Sequence, residues 1–340
     1  MGRVAPTRCV VPALLLGGLA ACASPQGRAL GNLPWMLAYD RTLDTYSQVD
    51  TTRTDVTALV DATGRPATLV SAFFGLDDGM PALGRLVICE DVGGKDGAPI
   101  IFSHEVDLAT LEPGDFRVTT VSGAVGEITC FTLAPADDPG ELRTALMIGQ
   151  YGSAEDPPAT IEVVGNVLSL DGSVNFRGAS VAFTALEGGP SLVWAERVPD
   201  DDWTLGGRAT RLDWGGGDSC PVGTRQVVRA TWDGGITRPD GGEVGALEAE
   251  LYRVTVETAD GRRVEVAPFA LADLGDGDNN HELCLDVTEP AVSVRFPGGH
   301  VTDPADDLND DTEIAVTPTA AQLARRADAA ASPSARPETP

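Results

Sequence analysis

The sequence predicts an all-β chain: two tandem antiparallel β-sandwich domains followed by a disordered C-terminal tail. Three observations lead there. First, from Thr54 onward, apolar runs of about four to eight residues recur, rich in Val, Ile, Thr and Phe and broken by Gly, Asp and Pro. Examples are "ATLVSAFFG", "FRVTTVSG" and "ALMIGQYG". Second, the chain holds 39 Gly and 24 Pro but only 5% aromatics, which suits short strands joined by turns better than a helical bundle. Third, 340 residues suffice for two domains of about 150 residues, each with its own core.

The first 21 residues read as an export signal. Arg3 and Arg8 precede "CVVPALLLGGLAA", an apolar run of h-region length that is shorter than the ~20 residues of a membrane span. Small residues then lead to Cys22. Leu19, Ala20, Ala21 and Cys22 form "LAAC", which resembles the bacterial lipobox. That resemblance implies a diacylglyceryl group on Cys22 and cleavage before it. Several acyl chains give lasting attachment because each buried CH2 contributes ~0.8 kcal/mol and one chain holds only marginally. In the lipoproteins it resembles, an Asp after the cysteine favours inner-membrane retention; Ala23 and Ser24 stand there instead, which implies the outer membrane where the cell has one. An ordinary secretory cleavage near Ala21 or Ala23 is the alternative.

Residues 22–52 are expected to form a lipidated tether, 53–198 a first sandwich and 199–318 a second. The division falls at "RVPDDDW", which is charged and lacks hydrophobic alternation. Residues 319–340 are rich in Ala and Pro and are expected to be disordered. An internal echo relates the domains: "DFRVTTVSGAVGEITCFTLAPADD" from Asp115 and "LYRVTVETADGRRVEVAPFALADLGDGD" from Leu251. Each starts with an aromatic and "RVT", passes a turn, reaches a Phe (Phe131, Phe269) and ends in an acidic loop.

Four cysteines remain beyond Cys9 and Cys22. Four allow three pairings. Cys89–Cys130 and Cys220–Cys284 are expected, since separate domains close their own bridges and export favours oxidation.

"IIFSHEVDLATLEPGDFRVTT" (100–120) resembles the bacterial Ig-like domains of surface-layer and adhesin proteins. The likeness lies in a strand ending "FS", a polar step to "VD", a "TL" turn and a strand opened by an aromatic. "PGGHVTDPADDLN" (297–309) resembles the family's closing loop. Departures are His104–Glu105 in the polar step and the additional cysteines. The resemblance implies a sandwich used as a spacer or binding module, with no catalytic residues.

The formal charge is −27, which repels phosphate backbones and disfavours nucleic-acid binding. "HEVDL" and "HELCL" imitate a zinc-protease motif, but position i+4 is Leu108 or Leu285 instead of His. "DLGDGDNNHELCLD" (273–286) is the strongest metal candidate. Asp276, Asp278, Asn280 and Glu282 alternate and offer the oxygen ligands Ca2+ takes, although the EF-hand pattern is not met. A polar turn bonding its own backbone is the competing reading. Asp303, Asp306, Asp307 and Asn309 offer a weaker set. Trp194, Trp203, Trp214 and Trp232 cluster in sequence and are expected to plug a core or an interdomain seam.

The function expected from these signals is a non-enzymatic, lipid-anchored envelope protein. Its partners would be the membrane, through the lipid, and an unidentified envelope or extracellular component. A hydrolase with a glycosidase-like acid pair and a calcium-rigidified adhesin are the alternatives.

Overall fold

The structure is a computed structural model that describes residues 56–82, 89, 92–208, 217–275 and 277–318. Cys22, the tether at 22–52 and the tail at 319–340 lie outside the described residues.

The first module contains β1 (Leu69–Phe73), β2 (Asp96–Phe102), β3 (Phe116–Thr120), β4 (Glu127–Thr132), β5 (Thr144–Gln150), β6 (Pro158–Val163) and β7 (Ser180–Thr184). They hydrogen-bond in the order β3-β6-β7-β1-β2-β5-β4. With the strands lettered A to G along the chain, this order is C-F-G-A-B-E-D, the two immunoglobulin sheets ABED and CFG. A short parallel pairing of β1 with β7, Ala72 opposite Phe183, joins the sheets. The Ig-like arrangement suggested by the sequence is therefore present. Period-two patterning explains why these residues form it. Ala98, Ile100 and Phe102 of β2 point into the core beside Ala145 and Met147 of β5 and Val118 of β3.

The second module contains β8 (Leu192–Arg197), β9 (Gln226–Trp232), β10 (Arg253–Glu257), β11 (Arg263–Val266), β12 (Ala270–Ala272), β13 (Asn280–Leu285), β14 (Ala291–Phe296) and β15 (Thr312–Ala315). One sheet runs β12-β13-β9-β8 and the other β11-β10-β14-β15. This is again ABED against CFG, with one strand added beside C. A single helical turn, α1 (Ala246–Ala249), leads into β10, where 3-10 turns at Leu108–Thr110 and Pro113–Asp115 lead into β3.

The sequence reading ended the first module at residue 198. The structure moves that division. β8 pairs with β9, and Leu192 and Ala195 pack in the second core, whereas Leu186 packs in the first. "RVPDDDW" is as polar as a linker but continues a strand of the second module. It opens the loop between strands A and B of the second module.

The described parts of both A–B connections pack on the outer face of their own ABED sheet. A small apolar cluster forms beneath each: Met80, Cys89, Val92, Cys130 and Ile148 in one module, Val198, Cys220, Val227 and Cys284 in the other. Disulfides Cys89–Cys130 and Cys220–Cys284 staple the flaps there, in the pairing expected from sequence.

Candidate functional site

Among the described residues, a heavily charged buried region lies where the modules meet. Its base is a row across the second ABED sheet: Glu196 on β8 faces Arg229 on β9, which faces Glu282 on β13. All three sit on the outer face, beside the disulfide-stapled flap. The loop between β4 and β5 of the first module descends onto this row. Arg229 Nε lies 3.2 Å from a Glu141 oxygen, Nη2 donates to Glu282 at 3.3 Å, and Nη1 donates to the Gly140 carbonyl at 2.9 Å. Gly140 is required here. It adopts φ +93°, and a Cβ on it would lie 2.5 Å from Arg229 Nη1.

Arg143 reaches the other way. Its Nη2 donates to both Glu196 oxygens at 2.9 Å, and Nη1 donates to the Ser103 carbonyl at 3.3 Å. Its guanidinium lies over the Trp194 ring, 4.6 Å from the centroid. Asn279 closes the edge, donating to Thr144 Oγ1 at 3.3 Å and to the Trp232 carbonyl at 2.6 Å. Burial pulls Arg229 toward its neutral form, but Glu141, Glu196 and Glu282 outweigh this and hold its pKa above the usual value. Burial raises the Glu282 carboxyl, with Arg229 opposing. Such a network fixes geometry more surely than it adds stability, because each charge first loses its water.

A second polar cluster sits inside the second core. Trp232 Nε1 donates to Tyr252 Oη at 3.0 Å, and Tyr252 Oη lies 2.8 Å from His281 Nδ1. The Tyr proton then belongs to this second bond, which assigns the His281 proton to Nε2. Burial pushes His281 down to about 4, so the imidazole is neutral at pH 7. A cavity of about 20 Å3, water-sized, adjoins it between Ile236, Glu243, Asp273 and Asp278.

The described calcium candidates each carry bonds to the protein's own groups. Asp276 lies outside the described residues. Asp278 accepts from the Asn280 amide and from its Nδ2, Asn280 Oδ1 accepts from Thr231, and Glu282 faces Arg229. Among the described residues, acidic groups converge instead at Asp138, Glu141 and Asp273, beside Arg229, and at Asp77, Asp78 and Asp96. Asp96 there accepts from the amides of Asp78, Tyr151 and Gly152. "HELCL" lies on β13, while His104 sits between Ser103 and Asp61. Asp303 and Asn309 cap loop amides: Asp303 takes Ala305 and Asp307, and Asn309 takes His300 and Val301. Trp194 sits in the seam, Trp203 packs under the second flap and Trp232 is in the core; Trp214 lies outside the described residues.

The sequence reading missed Arg143, Arg229, Glu141 and Glu196. One signal was available. "QVVRATW" carries Arg229 inside an apolar strand and "LVWAER" ends one on Glu196 and Arg197, and a charge on a buried strand calls for a partner.

No family model matches the chain, and curated proteins give no match. Similar solved structures include the N-terminal part of the bacterial S-layer protein SbsC, at 12% identity over 74% of this chain and 44% of that one, with a TM-score of 0.25. Domains 1–6 of the surface layer protein SbsC give 12% identity over 74% of this chain and 41% of that one, with a TM-score of 0.24. The chain thus spans less than half the length of the solved proteins it matches.

Proposed function

We propose that this chain is a non-enzymatic component of a bacterial cell envelope, a lipid-anchored pair of Ig-like sandwiches that serves as a spacer and presents a binding surface. The seam carries this reading. The first module's own loop fills the outer face of the second ABED sheet, and Arg143 and Arg229 tie the two modules across it. Two sandwiches held this way keep a set distance between their ends, which a spacer requires. The stapled flaps fit an oxidising compartment outside the cytoplasm. The lipobox at Cys22 supplies attachment, and the acidic surface keeps the exposed part soluble.

Metabolic labelling with a palmitate analogue tests the anchor. The wild-type chain is expected to take up label and to fractionate with membranes. Cys22→Ala is expected to lose both. A wild-type protein that stays unlabelled overturns the anchored reading.

A further inference from the structure

The sheet β11-β10-β14-β15 of the second module is finished differently on its two sides. Just beyond β15, the Thr317 amide donates to the Ala195 carbonyl of β8 at 2.7 Å, which closes that side. On the other side, among the described residues, β11 pairs with β10 alone. β11 is exposed: Arg263 and Glu265 face solvent, and Val264 is 39% exposed. The hairpin fixes which of its backbone groups are left over. The Thr258 amide donates to the Arg262 carbonyl at 2.9 Å, so these two residues are a hydrogen-bonded pair. Such pairs alternate with non-bonded ones along an antiparallel ladder. Val256–Val264 and Val254–Val266 are therefore bonded pairs too, and the backbone groups of Val264 and Val266 turn toward β10. The N–H and C=O groups of Arg263 and Glu265 point the other way, out of the sheet edge. Pro268, which has no N–H, keeps the edge short.

We propose that this edge pairs with a second copy of the chain: two β11 strands meet antiparallel about a two-fold axis at Val264, and two four-stranded sheets become one. Two independent features select this register. The first is hydrogen-bond parity. With Val264 opposite Val264 of the second copy, Arg263 of each copy faces Glu265 of the other. Each such pair exchanges both of its outward-pointing bonds, four bonds in all. A slip of one residue would set Arg263 against Val266, whose backbone groups are already turned to β10. The second feature is charge. A slip of two residues would set Arg263 against Arg263, or Glu265 against Glu265, with like charges directly opposite. Only the register centred on Val264 satisfies both, and it forms two Arg–Glu pairs on the outer face. The two Val264 side chains meet on the other face, the one from which Val254, Val256 and Val266 pack into the core. Charge on an edge strand ordinarily blocks pairing. Here the two charges are opposite and two residues apart, so a two-fold axis makes them complementary. One short edge falls below the ~1,200 Å2 of stable complexes, so the association is weak, with a dissociation constant on the order of 1 mM. It rests on the ladder and the charges, and does not depend on the lipid anchor.

Disulfide trapping on the mature chain tests the pairing, in a Cys22→Ala background where the native bridges hold the remaining cysteines. Residues opposite each other in a non-hydrogen-bonded pair have Cα atoms about 4.5 Å apart, within disulfide reach. Val264→Cys is expected to form a covalent dimer on oxidation at least about tenfold faster than Val222→Cys, an exposed position off the edge. Both rates are corrected for reaction with a neutral maleimide. Adding Arg263→Glu sets like charges opposite in both pairs and is expected to slow trapping about tenfold. Adding Glu265→Arg as well restores attraction with the charges exchanged, and the rate is expected to return to within about threefold. Trapping at Val264→Cys no faster than at Val222→Cys overturns the proposal and leaves the edge to a strand from another protein. A rate indifferent to Arg263→Glu, or not restored by the double exchange, overturns it as well. If Val264→Cys does not fold, sedimentation of the wild type and of Arg263→Glu at up to about 1 mM decides. Association lost in the variant supports the pairing, and equal behaviour of the two overturns it.

Discussion

The two modules share one topology, and their registers can be compared residue by residue. Phe116 opens β3, and Tyr252 stands immediately before the equivalent strand β10. Thr144 and Asn280 open β5 and β13, and through the pairings Ile101–Thr144 and Thr231–Asn280, Phe102 is equivalent to Trp232. The first module fills this core corner with Phe102, Phe116 and Ala145, the two rings meeting edge-on at 6.5 Å. The second fills it with Trp232, Tyr252 and His281. One hydroxyl on the strand-C aromatic accounts for the difference. Buried, it needs partners, and the Trp indole and the His ring supply them.

The outer faces differ in the opposite sense. Where the second module has Arg229 opposite Glu282, the first has Pro99 opposite Leu146. The charged row lies under the neighbouring module's loop, and the apolar row does not bear that network. The two units thus share one strand order, and the charged residues on one face mark where they dock.

The comparison breaks first at Arg229. Arg229→Ala leaves Glu141, Glu196 and Glu282 without their shared guanidinium, and urea unfolding is expected to show a loss of about 4 kcal/mol. A loss under about 1 kcal/mol would mean that the row does not hold the modules together. The flaps come next. Their bridges span sequence separations of 41 and 64 residues, so Cys89→Ala with Cys130→Ala, or Cys220→Ala with Cys284→Ala, is expected to cost about 4 kcal/mol in either module. Unequal losses would show that the two flaps do different work.

The smallest effect is the pH dependence of His281. Its pKa is depressed in the fold, so its stabilising share is present above 6.5 and is lost as pH falls toward 4, at most about 3 kcal/mol. The double variant Tyr252→Phe, His281→Ala copies the first module. The difference between its urea midpoint and that of the wild type is expected to narrow over this interval, because titrations elsewhere in the chain cancel between the two proteins. A difference that stays constant with pH removes the assignment.

The echo in the sequence located strand C in both modules, yet it slipped further on. It matched Phe131 with Phe269. The register instead sets Phe131 opposite Met147 and Leu271 opposite Leu283, so Leu271 is the counterpart of Phe131. Phe131 is fully buried and Phe269 is 46% exposed, as expected if only one of them is a core residue. The same register shows why the disulfides are not simple copies. Cys130 faces Ile148 and Ala270 faces Cys284, so the first bridge reaches this spot from strand D and the second from strand E.

The sequence by itself determined the strands, the two cores and the within-module cysteine pairs. Each follows from local alternation, turn residues and chain proximity, which the linear order records. The division at residue 198, the acidic loop at 273–286 and the seam were decided only by the tertiary structure. Whether a polar stretch is a linker, a turn or half of a buried ion pair depends on what packs against it. For Glu282 that partner is Arg229, 53 residues away in the chain, and no pattern along the sequence encodes the contact.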